Sequence, residues 1–194
     1  HQNHSLRDAA DEDARYVRSI AERYQLPYRQ AVNDVAKFAR EHALTLEEAA
    51  RKVRYKFLFE LAREVGAQAV AVGHTADDQV ETVLMHLLRG SGLTGLKGMS
   101  YYTRPNSWDP EIPLLRPLLG IWRQEILDYC QSLQYKPVQD QTNFDTTFFR
   151  NRVRLETLPY LESIAPEFQR KLWRTADLLA GDYSIIEQAT DAAL

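Results

Sequence analysis

Three carboxylates and one imidazole lie within eight residues of this chain, in the order His74, Asp77, Asp78 and Glu81. In a helix that begins near Asp77, the pairs Asp77–Glu81 and Asp78–Glu81 are spaced i,i+4 and i,i+3, so each pair shares a face. Such a cluster could bind Mg²⁺ together with phosphate oxygens or hold a substrate ammonium. It could also supply a general base, because crowding raises the pKa of one carboxyl group.

The same acids also fit a purely structural role. Acidic residues in a first helical turn stabilise the helix dipole, and both Thr75-x-x-Asp78 and Asp78-x-x-Glu81 resemble capping arrangements. For any single acid, capping and chemistry explain the sequence about equally well. The combination of the imidazole and all three acids is harder to explain by capping and favours a site.

Two groups of arginines could add positive charge. Arg54 lies beside the apolar stripe of a predicted helix, from which it could pair with a phosphate or with Asp78. The second group consists of three arginines at alternating positions, directly after two phenylalanines: Arg150, Arg152 and Arg154. Arginines near aromatic rings suit contact with an RNA backbone. The alternative is a salt-bridged helix start with Glu156 as partner, which the spacing alone slightly favours.

The surrounding elements predict strands that alternate with helices. An apolar run over 67–73 is typical of a buried parallel strand, and it ends just before His74. A helix opened by a capping box of Thr45 and Glu48 precedes this strand, and another helix follows it. This order predicts an α/β fold with a parallel sheet, in which ligands bind beyond the carboxyl ends of strands. The acidic cluster lies at such an end.

Apolar spacing also predicts which helix faces point inward. On the helix before the strand, these positions are Ala50, Val53, Phe57, Leu61 and Val65. On the helix after it, they are Val80, Val83, Leu84, Leu87 and Leu88. A further strand is predicted over 135–139, and a mostly helical segment from Arg152 onward, with a break near 165–167.

Composition limits the function classes. The 194 residues carry 24 Lys and Arg against 27 Asp and Glu, for a net charge of −3, which excludes a globally basic nucleic-acid coat but not a local basic patch. The single cysteine, Cys130, excludes a disulfide scaffold and a zinc ribbon, and it suits a reducing cytosol. No apolar run approaches the roughly 18–20 residues that span a bilayer, so we expect a cytoplasmic protein without a membrane partner.

Several segments together resemble the tRNA(Ile)-lysidine synthetase family, within the PP-loop or N-type ATP pyrophosphatase superfamily. The most specific segments are GHTADDQVET over 73–82 and LRGSGL over 88–93. Shorter matches follow the family order: NHSLR over 3–7, EAAR over 48–51, RY over 54–55, RPLL over 116–119, DQTN over 140–143 and RNRVR over 150–154. The resemblance covers nearly the whole chain. It implies an adenine nucleotide alpha hydrolase-like fold followed by a helical C-terminal segment.

One departure from the family is large, since no Ser-Gly-Gly-x-Asp-Ser phosphate loop occurs in the sequence. The resemblance therefore implies an internal fragment that is incomplete at its N-terminus. We expect a catalytic domain over 1–158 that lacks its first strand and phosphate loop. A helical linker over 159–194 would lead to a C-terminal domain outside this sequence. On this interpretation, the chain is inactive by itself.

The resemblance implies a ligase reaction in two steps. ATP adenylates the C2 oxygen of the wobble cytidine in an isoleucine tRNA with a CAU anticodon, and pyrophosphate leaves. The side-chain amine of L-lysine then attacks C2, AMP leaves, and the base becomes lysidine. The first step calls for Mg²⁺ and arginine near the phosphates, and the second for carboxylates near the amine. The oligomeric state stays open, with a homodimer as one option.

The same resemblance implies roles for individual residues. Asp78 and Glu81 would bind and activate lysine, and Arg54 would orient the substrate or a phosphate. His74 and Asp77 would lie on the ATP and metal side. The group of three arginines would contact tRNA or brace the domain joint.

Two other interpretations remain. A related PP-loop enzyme, a tRNA cytidine thiolase, uses an iron–sulfur cluster that one cysteine cannot ligate. A non-catalytic scaffold or binding module would use the acids as caps and the arginines as salt bridges.

Overall fold

The computed structural model describes residues 2–3, 10–135, 137–138 and 141–193. The chain forms two compact units. The first unit comprises residues up to 70 together with 104–113, and the second comprises 71–103 together with 114–194. The elements of the first unit are β1 (Gln2–Asn3), α1 (Ala10–Arg23), β2 (Ala31–Val32), α2 (Val35–Glu41) and α3 (Leu46–Glu64).

Strand β3 (Val70–Ala71) lies where the first unit passes into the second. The remaining elements follow in order: α4 (Ala76–Leu88), α5 (Leu93–Leu96), β4 (Tyr102–Thr103), β5 (Leu114–Leu115), α6 (Arg123–Ser132), a 3₁₀ helix (Gln141–Phe144), α7 (Phe149–Arg152), a π-helix (Val153–Thr157), α8 (Leu158–Ile164) and α9 (Phe168–Ala193). No helix in the described part of the chain is both long and apolar enough to cross a membrane.

The strands form two small sheets. In the first, β1 pairs parallel with β2. In the second, the order is β3-β5-β4. The amides of Val70 and Val72 donate to the carbonyls of Pro113 and Leu115, so the bonded partners advance in the same direction and β3 runs parallel to β5. Strand β4 pairs antiparallel with β5, which makes this sheet mixed. The predicted parallel pairing therefore applies to β1–β2 and β3–β5, with β4 as an antiparallel addition.

Helix α3 begins as the sequence predicts but buries a different face. The capping box of Thr45 and Glu48 is present, and Gly66 follows the helix at a φ of +64°. The buried positions are Ala49, Val53, Tyr55, Phe59 and Ala62, so only one of the predicted inward residues is fully buried, and Val65 is 57% exposed. Tyr55 stacks on Trp108 with ring centroids 4.9 Å apart, and local spacing cannot reveal this distant partner.

Helix α4, which carries the three acids of the candidate site, packs through an apolar face. Three of the predicted inward residues, Val80, Val83 and Leu84, are buried, whereas Leu87 and Leu88 are 51% and 57% exposed and were wrongly predicted. The buried cluster on this helix consists of Val80 and Leu84 packed with Val153 and Leu158. The last turn of α4 carries the two exposed leucines beyond that cluster.

The chain after Arg152 is helical with a break after Ile164, as predicted. The strand predicted over 135–139 is absent from residues 135, 137 and 138, which are irregular, and the other two positions lie outside the described residues. Of the NHSLR segment, Asn3 belongs to β1 and positions 4–7 lie outside the described residues, as does Asp140 of the DQTN segment.

The cluster beneath the site yields a prediction about stability. Leu158 is 3% exposed and Leu178 is 64% exposed. We expect Leu158→Ala to lower the free energy of unfolding by about 2–5 kcal/mol, because it leaves a cavity among packed side chains. Leu178→Ala, the matched control, should change it by less than about 0.5 kcal/mol. Urea denaturation followed by circular dichroism measures both, and equal losses in the two variants would contradict the assignment of this core.

Candidate functional site

The first turn of α4 holds Asp78 in a capping box. The Asp78 Oδ2 atom accepts hydrogen bonds from the Thr75 backbone N–H and hydroxyl, both at 2.9 Å. Burial favours the neutral carboxyl, but these two bonds and the positive charge of Arg150 outweigh it, so the pKa of Asp78 lies below its ordinary value. The charge of His74 contributes in the same direction. Asp78 is therefore a charged carboxylate at neutral pH.

Glu81 lies one turn further along α4 and is the most deeply buried acid of the cluster, with its side chain 1% exposed. Its Oε2 atom accepts from Arg150 Nε at 2.9 Å, and its Oε1 atom accepts from Arg154 Nε at 2.6 Å. Arg154 Nη2 also donates to Oε2 at 3.1 Å. Both oxygens of the carboxylate are thus held by guanidinium groups.

The two arginines are tied into the cluster beyond Glu81. Arg150 Nη2 donates to the Thr82 hydroxyl at 2.8 Å, and Arg154 Nη2 lies 3.9 Å from Asp78 Oδ1. Burial lowers the pKa of Arg154, but the hydrogen bond and negative charge of Glu81, with Asp78 and Asp77 nearby, raise it overall. Two acids and two arginines therefore form one charge-balanced group, which we call the Glu81 network: Asp78, Glu81, Arg150 and Arg154.

A π-helix positions the second arginine of this network. The backbone widens from α7 into the π-helix at Val153–Thr157, a local distortion that often occurs at functional sites. Val153, between the two network arginines, is 1% exposed and packs in the core cluster. Packing of this valine against α4 directs Arg150 and Arg154 toward Glu81.

The third arginine of the predicted group is placed differently. Arg152 is exposed, and its guanidinium lies 5.8 Å from the ring centroid of Phe149. Glu156, the salt-bridge partner that the spacing favoured, is exposed, and the acid that Arg150 and Arg154 contact is Glu81. Sequence spacing missed this pairing because 69 residues separate Arg150 from Glu81.

Asp77 faces a different element. Its Oδ2 atom accepts from the backbone N–H of Arg123 at 2.7 Å, at the first residue of α6, where a negative charge favours the helix. Capping therefore accounts for contacts of both Asp77 and Asp78, since each satisfies backbone N–H groups. It does not account for Glu81, whose contacts in the described residues are with arginine side chains.

The remaining predicted residues, His74 and Arg54, lie outside helix α4 and the α7–π-helix segment. His74 lies in the segment between β3 and α4. Arg54 belongs to α3 in the first unit, where its guanidinium lies 5.5 Å from the Tyr55 ring centroid. Across the described residues, there is no group of three His, Cys, Asp or Glu side chains placed to bind a metal ion.

Gln79 is a site-supporting residue that the sequence did not indicate. Its side chain is 5% exposed, donates to the carbonyl of Met99 at 3.1 Å and accepts from the Met99 N–H at 2.8 Å. Gly98 permits this contact, because a Cβ there would lie 2.6 Å from the Gln79 amide. Gln79 thereby fixes the loop after α5 against the helix that carries the acids.

Comparison with known proteins assigns this chain to a family. The PP-loop domain family, a family of ATP-binding domains, matches residues 1–161. The chain belongs to the PP-loop domain family. In this PP-loop domain, the acidic cluster therefore lies in a fold that uses ATP.

Curated relatives match nearly the whole length of this chain. A tRNA(Ile)-lysidine synthase from Dehalococcoides mccartyi is 43% identical over 192 residues, which cover 98% of this chain and 41% of that protein. A tRNA(Ile)-lysidine synthase from Geobacter sulfurreducens is 42% identical over 100% of this chain and 40% of its own length. One from Clostridioides difficile is 35% identical over 99% and 40%. The chain spans about 40% of the length of these relatives.

A solved structure confirms the fold class. The U34-tRNA thiolase NcsA from Methanococcus maripaludis, determined with its [4Fe-4S] cluster, superposes with a TM-score of 0.71. The match covers 93% of this chain and 60% of the thiolase chain at 19% identity. The α/β PP-loop fold implied by the sequence resemblance is thus confirmed.

The Glu81 network yields a second prediction. Glu81→Gln leaves two arginines partly buried without their counter-charge, so we expect a loss of about 3–5 kcal/mol in the free energy of unfolding. Glu156→Gln is the matched control at an exposed position and should shift it by less than about 0.5 kcal/mol. Chemical denaturation of both variants measures the difference. If Glu156→Gln proved the more destabilising change, the network would be wrongly assigned.

Proposed function

We propose that this chain is the catalytic part of a cytoplasmic enzyme that joins L-lysine to C2 of the wobble cytidine in an isoleucine tRNA with a CAU anticodon, with ATP as co-substrate. The observation that carries the proposal is the charged Asp78–Glu81 pair at the start of α4. It occurs in a chain 35–43% identical over nearly its whole length to three tRNA(Ile)-lysidine synthases. As in the sequence resemblance, the catalytic domain covers 1–158 and a helical linker covers 159–194.

Asp78 is the acid of the pair that we place against the lysine ammonium. Its side chain is 16% exposed, compared with 1% for Glu81. The capping box occupies Oδ2, whereas Oδ1 lies 3.9 Å from Arg154, beyond hydrogen-bond distance. This oxygen could accept a charge-assisted bond from an ammonium group.

The lowered pKa of Asp78 favours binding over proton abstraction. A general base works best when its pKa lies near the working pH, and this carboxyl titrates below its ordinary value of 3.8. In the proposal, Asp78 therefore holds and orients lysine. Glu81 holds Arg150 and Arg154 in place beside Asp78 and acts as a positioning residue.

We place ATP on the side of His74 and Asp77, and assign Arg54 to orienting the substrate or a phosphate. ATP supplies the adenylyl group that activates the cytidine. Mg²⁺ in nucleotide sites is commonly held by one or two carboxylates together with substrate phosphates. Asp77 would be enough as its protein ligand, so the proposal does not need a three-residue metal site.

For tRNA, Arg152 is the exposed member of the arginine group. Arg150 and Arg154 are bound to Glu81, which suits the bracing role that the sequence left open. We therefore assign the phosphate contact within this group to Arg152, beside Phe149.

The lysine assignment is tested with Asp78→Asn in the full-length enzyme. Asparagine is also a good N-cap, so folding should persist while the charge that holds the ammonium is lost. A charge-assisted contact is worth roughly 1.5–3 kcal/mol, so the KM for lysine should rise about 10- to 150-fold. Pyrophosphate release in the adenylation step should largely survive. Asp182→Asn, an exposed acid on α9, is the matched control and should leave both steps unchanged.

Measuring the two steps separately distinguishes the alternatives. Failure of adenylation in Asp78→Asn would move this residue to the ATP side. Normal lysine affinity with a small loss of thermal stability would leave it a cap alone. Absence of lysine-dependent AMP formation in the wild-type enzyme, with an isoleucine tRNA transcript as substrate, would refute the proposed function.

The tRNA assignment is tested with Arg152→Gln. Loss of one phosphate contact should weaken tRNA binding and flatten the slope of log affinity against log salt by up to ~0.9. The free energy of unfolding should change little, because Arg152 is exposed. Lys52→Gln on α3 removes the same charge from an exposed helix face and should not alter the slope. Filter binding at several salt concentrations measures both variants, and identical slopes would rule out the contact.

A further inference from the structure

A cavity of about 380 Å³ lies in the second unit, beside the start of α9. Its lining combines two indole rings with three cationic side chains: Trp122, Trp173, Arg170, Lys171 and Arg174. One acid, Glu167, also lines it. The volume falls in the range of about 300–1,000 Å³ that is usual for small-ligand sites, but three of the lining side chains are cationic.

The three cationic side chains lie near the N-terminus of α9, where the helix dipole disfavours positive charge. They lie in the first two turns of α9, and positive charge near a helix N-terminus is destabilising. Among the described residues, none of them forms an ion pair with a carboxylate. The Glu162 carboxylate already accepts the N–H groups of Glu167 and Gln169 at 2.6 and 3.2 Å. An anion in this cavity would therefore be bound by side chains rather than by the helix end.

Two contacts hold cations in place without neutralising them. The guanidinium of Arg170 lies over the Trp122 ring at 5.2 Å from its centroid, so it keeps its N–H donors for a ligand. Lys171 Nζ donates to the Pro166 carbonyl at 2.7 Å. The Trp173 indole is fixed by its own N–H, which donates to the Leu119 carbonyl at 3.1 Å. The cavity thus presents positioned positive charge beside a positioned aromatic ring.

One short segment, 121–123, links the cavity lining to the start of α4. The carbonyl of Ile121 accepts from the Ala76 N–H at 2.9 Å, and the N–H of Arg123 donates to Asp77 at 2.7 Å. Trp122, between these two residues, lines the cavity. The segment that caps the acids' helix therefore also supplies one indole of the cavity.

We propose that this cavity is an RNA subsite, in which Arg170 and Arg174 bind backbone phosphate and Trp173 stacks on a base. The proposal rests on the proposed function, since it assigns the site a part of the tRNA that the acidic cluster modifies. Arginine for phosphate and an aromatic face for a base is the usual combination in recognition of unpaired RNA. An acidic protein segment would satisfy the cations, but it would leave the indole without a planar partner.

The test compares the Arg170→Gln/Arg174→Gln double variant with wild type in binding of an isoleucine tRNA transcript. Both arginines are exposed, so folding should persist. We expect affinity to fall about 5- to 30-fold, since exposed charged contacts contribute up to about 1 kcal/mol each. The slope of log affinity against log salt should fall by about 1.4, at about 0.7 per lost single-strand contact. The Lys52→Gln/Lys56→Gln double variant removes equal charge from α3 and should change neither quantity.

Trp173→Leu separates stacking from charge. Affinity should fall about 5- to 150-fold with an unchanged salt slope, because stacking on one base is worth roughly 1–3 kcal/mol. Trp173 also packs on the core cluster, so the arginine variants decide the matter if this variant fails to fold. Wild-type tRNA affinity in the arginine variants would overturn the proposal, whatever else the cavity binds. Lysidine formation is scored separately, so reduced binding without any lysidine formation in wild type would refute the proposed function and keep the subsite.

Discussion

Burial of the Glu81 carboxylate constrains how α4 packs against the segment that carries Arg150 and Arg154. Glu81 is 1% exposed and lies on a helix whose other buried side chains are mostly apolar. An ion moved out of water costs several kcal/mol unless it is paired and its lone pairs are satisfied. Arg150 and Arg154 meet that requirement from a segment about 70 residues away in the chain. These ion pairs thereby fix the position of the α7–π-helix segment against helix α4.

This packing also determines which charged groups surround Asp78 and Glu81. The π-helix lets Val153 enter the core while the arginines on either side of it face Glu81. The same arginines hold positive charge near Asp78, which helps to keep that carboxyl ionised. Asp78 is thus controlled from two directions, by the backbone of its own helix turn and by side chains from a distant segment. A ligand with an ammonium group would meet an acid whose charge and position are already set.

Much of the local structure could be predicted from the sequence, and the distant pairings could not. The strand before His74, both capping boxes and the break before α9 follow from short-range rules of capping and periodicity. The partner of Glu81 and the stacking of Tyr55 on Trp108 depend on residues tens of positions apart, for which one sequence carries no local signal. The inward face of α3 was misjudged for this reason, since an aromatic partner draws Tyr55 inside. Gln79 was missed because nothing in the helix sequence distinguishes it, and its partner is the backbone of a loop 20 residues away.

The Glu81 network also determines how this domain can change. Replacing Glu81 alone leaves two guanidinium groups buried without a counter-charge, and replacing either arginine leaves the carboxylate half satisfied. Exchanging all three for well-packed apolar residues is often neutral or even stabilising in other proteins. A single substitution at any of these positions therefore gives a destabilised protein, whereas replacing all three together avoids that loss. The effects of substitutions at the three positions are thus strongly non-additive. Libraries that randomise one of them at a time will return mostly destabilised protein, whereas alternative solutions become accessible when positions 81, 150 and 154 vary together.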